Sequence, residues 1–216
     1  MTGSAANTRV TPRAWFRIRL GCVAASAAAF AFAVTIIGSL TPGYNQWSDA
    51  ISRLASPGEP FALAARAAFA AYGLLIAAGA STVRKYAGHH ASLLAGCLAL
   101  YGVACIVAGV APKDQPGAAH TLISRVHVTA AILGGVLVLF AMTLVSRYGL
   151  TRAARRAARV MALLTGLTAV IFWRTWGTHA YGLTERVLLA LGMTWISALA
   201  IRAFIVGPDQ QATEVL

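Results

Sequence analysis

Six apolar stretches, each of about 20 residues, dominate this chain of 216 residues. Each stretch is long enough to cross the ~30 Å hydrocarbon core of a bilayer as a helix that rises ~1.5 Å per residue. Because the bilayer core offers no water to backbone N–H and C=O groups, segments of this kind fold as helices. The predicted spans are residues 20–40, 61–83, 92–111, 122–145, 160–176 and 187–206. The sequence therefore predicts an all-α protein, a polytopic transmembrane bundle of six helices.

Composition agrees with a membrane protein, because 58% of the residues are hydrophobic, only 11% are charged and the mean hydropathy is +0.70. Soluble domains carry about 25% charged residues. Residues 1–17 are expected to form a disordered, basic cytoplasmic N-terminus, followed by a transmembrane domain over residues 18–206. A Gly-Pro pair then predicts the end of the sixth helix and a short cytoplasmic tail over residues 207–216. The three cysteines all fall inside predicted spans, which indicates neither a disulfide framework nor a metal site.

The positive charge of the chain, +12 in total, is distributed unevenly about the predicted spans. Twelve of the 18 cations fall in segments that share one end of a six-span bundle: Arg9, Arg13, Arg17, Arg19, Arg84, Lys85, Arg147, Arg152, Arg155, Arg156, Arg159 and Arg202. Since Lys and Arg are enriched on the cytoplasmic side, both termini are predicted to be cytoplasmic in a multi-pass protein of the cell membrane. These cations are expected to attract anionic lipid head groups, and their placement argues against a nucleic-acid partner. Homo-oligomer formation is left open.

Carboxylates are scarce, and four of the six are predicted to lie at the opposite, extracytoplasmic end: Asp49, Glu59, Asp114 and Glu185. Two of them belong to the stretch WSDAISRLASPGEP, which follows the first span. Within it, Trp47, Ile51 and Leu54 are spaced four and then three residues apart, which predicts a short helix folded over the mouth of the bundle. Asp49 and Arg53 are four apart on the other side of that helix, where they are expected to pair.

Polar residues from three outer links are expected to converge at this mouth. The predicted binding cluster is Ser48, Asp49, Ser52, Arg66, Asp114, His127, His179, Glu185 and Arg186. Arg66 is a cation placed well within a predicted span, where ionisable groups usually find a partner in the bundle interior. Asp49 is therefore expected to meet His127, Arg186 and Arg66. The carboxylates of Asp114 and Glu185 are expected to meet Arg125 and Arg174.

Several short motifs together resemble one known family. They are YNQWSDAISRLASPGEPFA after the first span, APKDQPG after the third, a histidine (His127) in the fourth and GLTERV before the sixth. In this order they are similar to the bacterial six-helix membrane proteins catalogued as domain of unknown function 998, over about residues 18–206. The resemblance implies a six-helix bundle with an outward-facing polar signature and no established activity. Where the family usually has Phe-Pro-x-Asp, this chain has Ala-Pro-Lys-Asp, with Asp114 in place.

The polar mouth leaves several functions open. The first is a membrane protein without a cofactor that binds a lipid head group or a small ligand. An alternative is a membrane-embedded, metal-dependent hydrolase of lipid amides or esters, in which zinc held by His120, His127 and His179 would keep an open water position. A small-solute or proton-coupled transporter and a haem protein are further alternatives. Because no complete catalytic set and no close motif such as H-E-x-x-H occurs, the sequence favours binding over catalysis.

Overall fold

The computed structural model describes residues 12–115, 117–119 and 121–213, and within them it contains helices and no β-strand. The α-helices are α1 (Pro12–Leu40), α2 (Ala62–Gly79), α3 (Ala91–Val110), α4 (Leu122–Tyr148), α5 (Arg152–Arg174) and α6 (Tyr181–Thr213). Two 3-10 helices, Ile51–Ala55 and Ala80–His90, flank α2. Each α-helix contributes to one of six segments that are long and apolar enough to cross a membrane. The predicted all-α bundle of six membrane-spanning helices is confirmed.

The six helices form a closed ring in chain order. Each packs against its neighbours in sequence, and α6 returns to pack against α1. α5 is the least enclosed helix. In its most apolar stretch of 18 residues 11% are buried, compared with 28–39% in the other five spans. Most of the surface of α5 is therefore left for lipid.

A close contact between the backbones of α2 and α3 depends on glycine. A Cβ added to Gly73 would lie 2.4 Å from the carbonyl oxygen of Gly102, and one added to Gly102 would lie 2.5 Å from that of Gly73. A Cβ on Gly109 would come within 2.7 Å of the Arg66 carbonyl oxygen. Small residues of this kind let two backbones approach in a membrane, where packing rather than the hydrophobic effect holds helices together.

Both ends of the chain are more helical than the sequence predicts. Residues 12–17 were expected to be disordered, but α1 begins at Pro12, since proline at a first helical position loses no intrahelical hydrogen bond. The tail from residue 207 was expected to leave the helix, but α6 runs through Gly207 and Pro208 to Thr213. A proline inside a helix removes one backbone hydrogen bond, and the Gln-Gln-Ala that follows favours helix. Residues 1–11 and 214–216 lie outside the described residues.

The ring has two chemically different ends. One end carries the long link between α1 and α2 together with the links 111–121 and 175–180, and we call it the strap end. The other carries the α4–α5 turn with the arginines of α5, and we call it the arginine end. Which end faces the cytoplasm stays a prediction from the distribution of cations.

Candidate functional site

The link between α1 and α2, residues 41–61, lies across one end of the ring, and we call it the strap. Its 3-10 helix, Ile51–Ala55, inserts Ile51 and Leu54 into the core, where they are 3% and 1% exposed. The predicted folding of this link over the mouth is confirmed. The predicted apolar stripe is wrong at one position, because Trp47 precedes the 3-10 helix and its side chain is 65% exposed. The strap is thus a fixed part of the fold that presents one large apolar side chain outward.

The first turn of α6 holds the strap through both backbone and side chains. The Leu183 N–H donates to the Trp47 carbonyl oxygen at 2.8 Å, and the Ile51 N–H donates to Glu185 Oε2 at 2.6 Å. Arg186 Nη1 donates to the Asp49 carbonyl oxygen at 3.0 Å.

Gly182 makes this close approach of the strap and α6 sterically allowed. A Cβ at this position would lie 2.4 Å from the Asp49 carbonyl oxygen and 2.8 Å from the Asp49 nitrogen. The motif GLTERV therefore contacts the strap through Gly182, Leu183, Glu185 and Arg186. Each of these four residues has a structural role in holding the strap against α6.

The carboxylate of Asp49 acts within the strap. Its Oδ2 lies 2.6 Å from Arg53 Nη1 and accepts the Asn45 N–H at 2.7 Å, so the predicted Asp49–Arg53 pair is confirmed. Arg53 also pairs with Glu59, Nε to Oε1, at 3.2 Å. The expected pairing of the Asp49 carboxylate with His127, Arg186 and Arg66 is wrong, because Arg53 is in the same turn of chain and reaches it first.

Tyr44 contacts two of the guanidiniums at the strap end. Arg53 and Arg186 each lie 5.7 Å from the centroid of its ring. Its hydroxyl donates to the Ala50 carbonyl oxygen at 3.1 Å and accepts from Arg186 Nη2 at 2.5 Å. Burial raises the pKa of Tyr44 to about 12, although the charge of Arg186 acts in the opposite direction. Tyr44 was missed because an aromatic residue in a loop gives no charge or periodicity signal, although it begins the motif YNQW.

Arg66 and His127 are both used to satisfy backbone carbonyls near the strap end. Arg66 Nε donates to the carbonyl oxygen of Ala55 at 2.8 Å, which attaches α2 to the strap. His127 is 3% exposed, and its Nδ1 lies 3.0 Å from the Ala108 oxygen and 2.9 Å from the Ala111 oxygen. Since both partners are acceptors, we assign the proton to Nδ1. His127 therefore satisfies carbonyls at the C-terminal end of α3, where no intrahelical donor remains.

Asp114 organises the link between α3 and α4. Its carboxylate accepts the Thr121 N–H at 2.7 Å and the Thr121 hydroxyl at 2.9 Å. Thr121 in turn caps α4 by accepting the Ser124 N–H at 3.2 Å. The neighbouring Gln115 Nε2 donates to the Pro57 carbonyl oxygen at 2.8 Å, which joins this link to the strap. The expected meeting of separate outer segments is thus observed.

A cluster of aromatic side chains, which the sequence did not predict, lies where α5 ends and α6 begins. The Phe172 and Tyr181 rings stack at 4.9 Å, and Trp176 meets Tyr181 edge-on at 5.1 Å. Lys113 Nζ lies 5.4 Å from the Trp176 ring centroid and 5.9 Å from that of Tyr181, within the range of cation–π attraction. The cation of the Pro-Lys-Asp segment is thereby held against α6.

The other predicted site residues are distributed differently. Ser52 is buried, Ser48 is half-buried, and His179, Arg125 and Arg174 are exposed. Glu185 accepts a hydrogen bond from the Ile51 N–H. The expected ion pair between Glu185 and Arg174 is not formed in the described part of the chain.

The proposed zinc ligands are not all described. His120 lies outside the described residues, so the set of His120, His127 and His179 is not tested as a whole. Among the residues that the structure does describe, no three His, Cys, Asp or Glu side chains are grouped so that they could hold a metal ion.

A cleft opens between the strap and α6, with a volume of about 550 Å³. Its lining combines amides, aromatic rings, one aliphatic side chain and one cation: Tyr44, Asn45, Gln46, Trp47, Leu183 and Arg186. Arg53 is neutralised by two carboxylates, whereas Arg186 forms no ion pair with any carboxylate of the described residues. The cleft therefore offers a positive charge beside apolar surface.

Comparison with known proteins identifies the family of this chain. The family model described as "Protein of unknown function (DUF998)" matches residues 23–202. No curated protein and no solved structure matches the chain. The matched range extends from Val23 in α1 to Arg202 in α6 and includes the strap and every residue of the cleft. The chain belongs to the family of proteins of unknown function DUF998.

Proposed function

We propose that this protein binds the phosphate-bearing head group of a membrane lipid, without a cofactor, in the cleft between the strap and α6. The observation that carries the proposal is the contrast between the two arginines that lie near the Tyr44 ring. Arg53 has two carboxylate partners, whereas Arg186 lines the cleft and has no carboxylate within ion-pair distance among the described residues. A guanidinium in this state attracts a phosphate oxygen by a charge-assisted hydrogen bond.

The rest of the lining supports a lipid rather than a free anion. Trp47 is 65% exposed and Leu183 is 37% exposed, so the cleft has an apolar rim beside its cation. Tryptophan prefers the level of lipid head groups, where its ring meets the hydrocarbon and its N–H meets polar groups. A phosphate at Arg186 with its acyl chains directed past Trp47 and Leu183 matches this arrangement. The extracytoplasmic position of the cleft belongs to the same proposal.

The alternative functions stay predictions. The described residues hold no metal-binding group of His, Cys, Asp or Glu, so nothing in this part of the chain favours a zinc hydrolase. No described Asp or Glu lies in the middle of a span, which is the position that a proton-coupled transporter would use. Head-group binding is the function that the geometry of the cleft supports best.

The proposal is tested with purified protein in detergent, by measuring thermal stabilisation on addition of a phosphatidylglycerol, of diacylglycerol without phosphate, and of inorganic phosphate. The phosphatidylglycerol is expected to stabilise the wild type, and diacylglycerol is expected to have little effect. Arg186→Lys keeps the charge but loses the planar fork, so lipid affinity should fall about tenfold, the factor that corresponds to ~1.4 kcal/mol.

Two further variants make the test specific. Trp47→Ala removes the rim while its backbone contact to α6 remains, so it should weaken lipid binding and leave any binding of free phosphate unchanged. Arg125→Gln is the matched control, because Arg125 is an exposed cation at the same end of the bundle and does not line the cleft. Equal affinity of Arg186→Lys, Arg125→Gln and wild type, or equal stabilisation by diacylglycerol, would show that the cleft does not bind a head group.

A further inference from the structure

We infer that one face of α5 is a binding surface for an anionic phospholipid at the arginine end, separate from the cleft. Arg152, Arg156 and Arg159 are all exposed and are spaced four and then three residues apart, which places them on one face of the helix. The same spacing continues along the helix through Leu163, Leu167 and Val170, which are 69%, 60% and 61% exposed. At 100° per residue these six positions stay within a sector of roughly 80°.

The dimensions of this face match one lipid molecule in one leaflet. From Leu163 to Val170 the apolar part of this face rises ~10 Å at ~1.5 Å per residue, which fits within one leaflet, half of a ~30 Å hydrocarbon core. The three arginines occupy the next ~10 Å toward the arginine end, at the level of the phosphates. Arginine side chains there extend toward the head groups, as cations near helix ends do. An acyl chain on the leucines therefore leads to a phosphate beside the guanidiniums.

The charges around this face identify the partner as an anion. The first turn of α5 contains no acidic residue, although cations beside the positive end of a helix dipole are unfavourable. Apart from Asp209 and Glu214 near the C-terminus, the chain has no carboxylate outside the strap end. Of the neighbouring arginines, Arg155 is already engaged, since its Nη1 donates to the Gly149 carbonyl oxygen at 2.7 Å. The other three remain exposed, and a phosphodiester would satisfy them.

The apolar half of the face favours a phospholipid over free phosphate as the ligand. A free phosphate would contact the arginines alone, whereas a phospholipid also covers the exposed leucines. The inference therefore commits to a lipid with a net negative head group, such as a phosphatidylglycerol. Zwitterionic phosphatidylcholine, in which a trimethylammonium group offsets the phosphate, should bind more weakly.

The test is native mass spectrometry of the full-length chain with a phosphatidylglycerol, with phosphatidylcholine and with glycerophosphoglycerol, which lacks acyl chains. Arg186→Lys is present in every sample, so that the cleft contributes little and failure here is distinguishable from failure of the proposed function. The variant R152Q/R156Q/R159Q is compared with R125Q/R147Q/R174Q, which removes three exposed arginines outside this cluster, two from α4 and one from the opposite end of α5. R152K/R156K/R159K keeps the charge and controls for loss of side-chain length.

The expected result is tight binding of phosphatidylglycerol, preserved in R125Q/R147Q/R174Q and weakened most in R152Q/R156Q/R159Q. R152K/R156K/R159K should fall between the two, because it keeps the charge but loses the planar guanidinium. At about fivefold for each cation near an anionic surface, the three together correspond to roughly 100-fold. Should the triple variant fail to fold, the single variants are expected to lose about fivefold each. Equal loss in R125Q/R147Q/R174Q, equal binding of phosphatidylcholine, or binding of glycerophosphoglycerol as tight as that of the lipid would overturn the inference.

Discussion

Replacing Gly182 with alanine should separate the strap from α6. The added Cβ would lie 2.4 Å from the Asp49 carbonyl oxygen, whereas carbon–oxygen contacts are normally about 3.3–3.6 Å. The strap must therefore move by about 1 Å, because the atom in the way is backbone and cannot rotate aside. A shift of that size would lengthen the hydrogen bond between Leu183 and Trp47 from 2.8 Å to beyond hydrogen-bond distance.

The energetic effect follows from the bonds that join the strap to α6. One is a backbone hydrogen bond, worth about 0.5–1.5 kcal/mol, and two involve the charged side chains of Glu185 and Arg186, worth about 1.5–3 kcal/mol each. Because those two side chains can partly follow the strap, the loss should be smaller than the sum. We expect the free energy of unfolding to fall by about 2–4 kcal/mol, to which overpacking contributes about 1–3 kcal/mol.

Two measurements on purified protein test this prediction. Equilibrium unfolding in mixed detergent micelles gives the change in stability, and hydrogen exchange reports the Ile51 and Leu183 amides directly. Gly166→Ala in α5 is the matched control, since a Cβ there has no neighbour within 4 Å. It should be neutral or stabilise by up to ~1 kcal/mol through helix propensity. If Gly182→Ala is as stable as Gly166→Ala and the two amides exchange no faster than in wild type, the steric argument is wrong.

Three further predictions follow from the same contacts. Glu185→Ala should destabilise the protein by about 1–3 kcal/mol because it leaves the Ile51 N–H unpaired. Glu185→Gln should recover part of this loss, since its amide oxygen can accept the same N–H. Unchanged hydrogen exchange of the Ile51 amide in Glu185→Ala would contradict the prediction. Asp49→Asn and Arg53→Gln should be coupled in a double-mutant cycle by about 0.2–1 kcal/mol, as expected for a partly exposed pair, whereas Asp49→Asn and Arg66→Gln should be additive. Because burial raises the pKa of Tyr44 from 10.0 to about 12, its neutral form contributes stability that is fully present below pH 10 and is lost as the pH rises through 12. The difference in the free energy of unfolding between wild type and Tyr44→Phe should therefore be constant up to pH 10. From pH 10 to pH 12 the wild type should lose stability relative to Tyr44→Phe. A difference that stays constant over the whole range would show that the pKa of Tyr44 is not raised by folding.

The fold was largely predictable from the sequence because the membrane imposes a simple rule. Apolar runs of about 20 residues must satisfy their backbone internally, so the number of helices follows from hydropathy. The ends of α1 and α6 were less predictable. α5 begins at Arg152, eight residues before the predicted apolar span, and the alanines and arginines of TRAARRAAR predict this helical extension because they favour helix without being apolar.

The site was predictable in its location but not in most of its pairings. The sequence placed Asp49, Glu185 and Arg186 at one end of the bundle, and the structure brings them together. Apart from the Asp49–Arg53 pair, it did not predict their partners, because most of these are backbone groups, such as the Ile51 N–H and the Asp49 carbonyl oxygen. Such partners depend on the conformation of the strap, which leaves no pattern of charge or periodicity in the sequence. Ion pairing was the only rule available from side chains alone.

The distribution of charge at the strap end explains why scarce acids are placed there. This end has six cations, Arg53, Arg66, Lys113, Arg125, Arg174 and Arg186, against four acids. Asp49 and Glu59 both form ion pairs with Arg53. Asp114 accepts hydrogen bonds from Thr121, and Glu185 accepts one from the strap backbone.

The acids therefore fix the links, and the excess of positive charge remains where the links leave a cleft. Had a carboxylate paired with Arg186 instead, the strap would be held as firmly, but a phosphate would have to displace it at a cost of about 1.5–3 kcal/mol. The use of the carbonyl oxygen of Asp49, rather than its carboxylate, leaves the charge of Arg186 without an ion pair, as the proposed head-group binding requires.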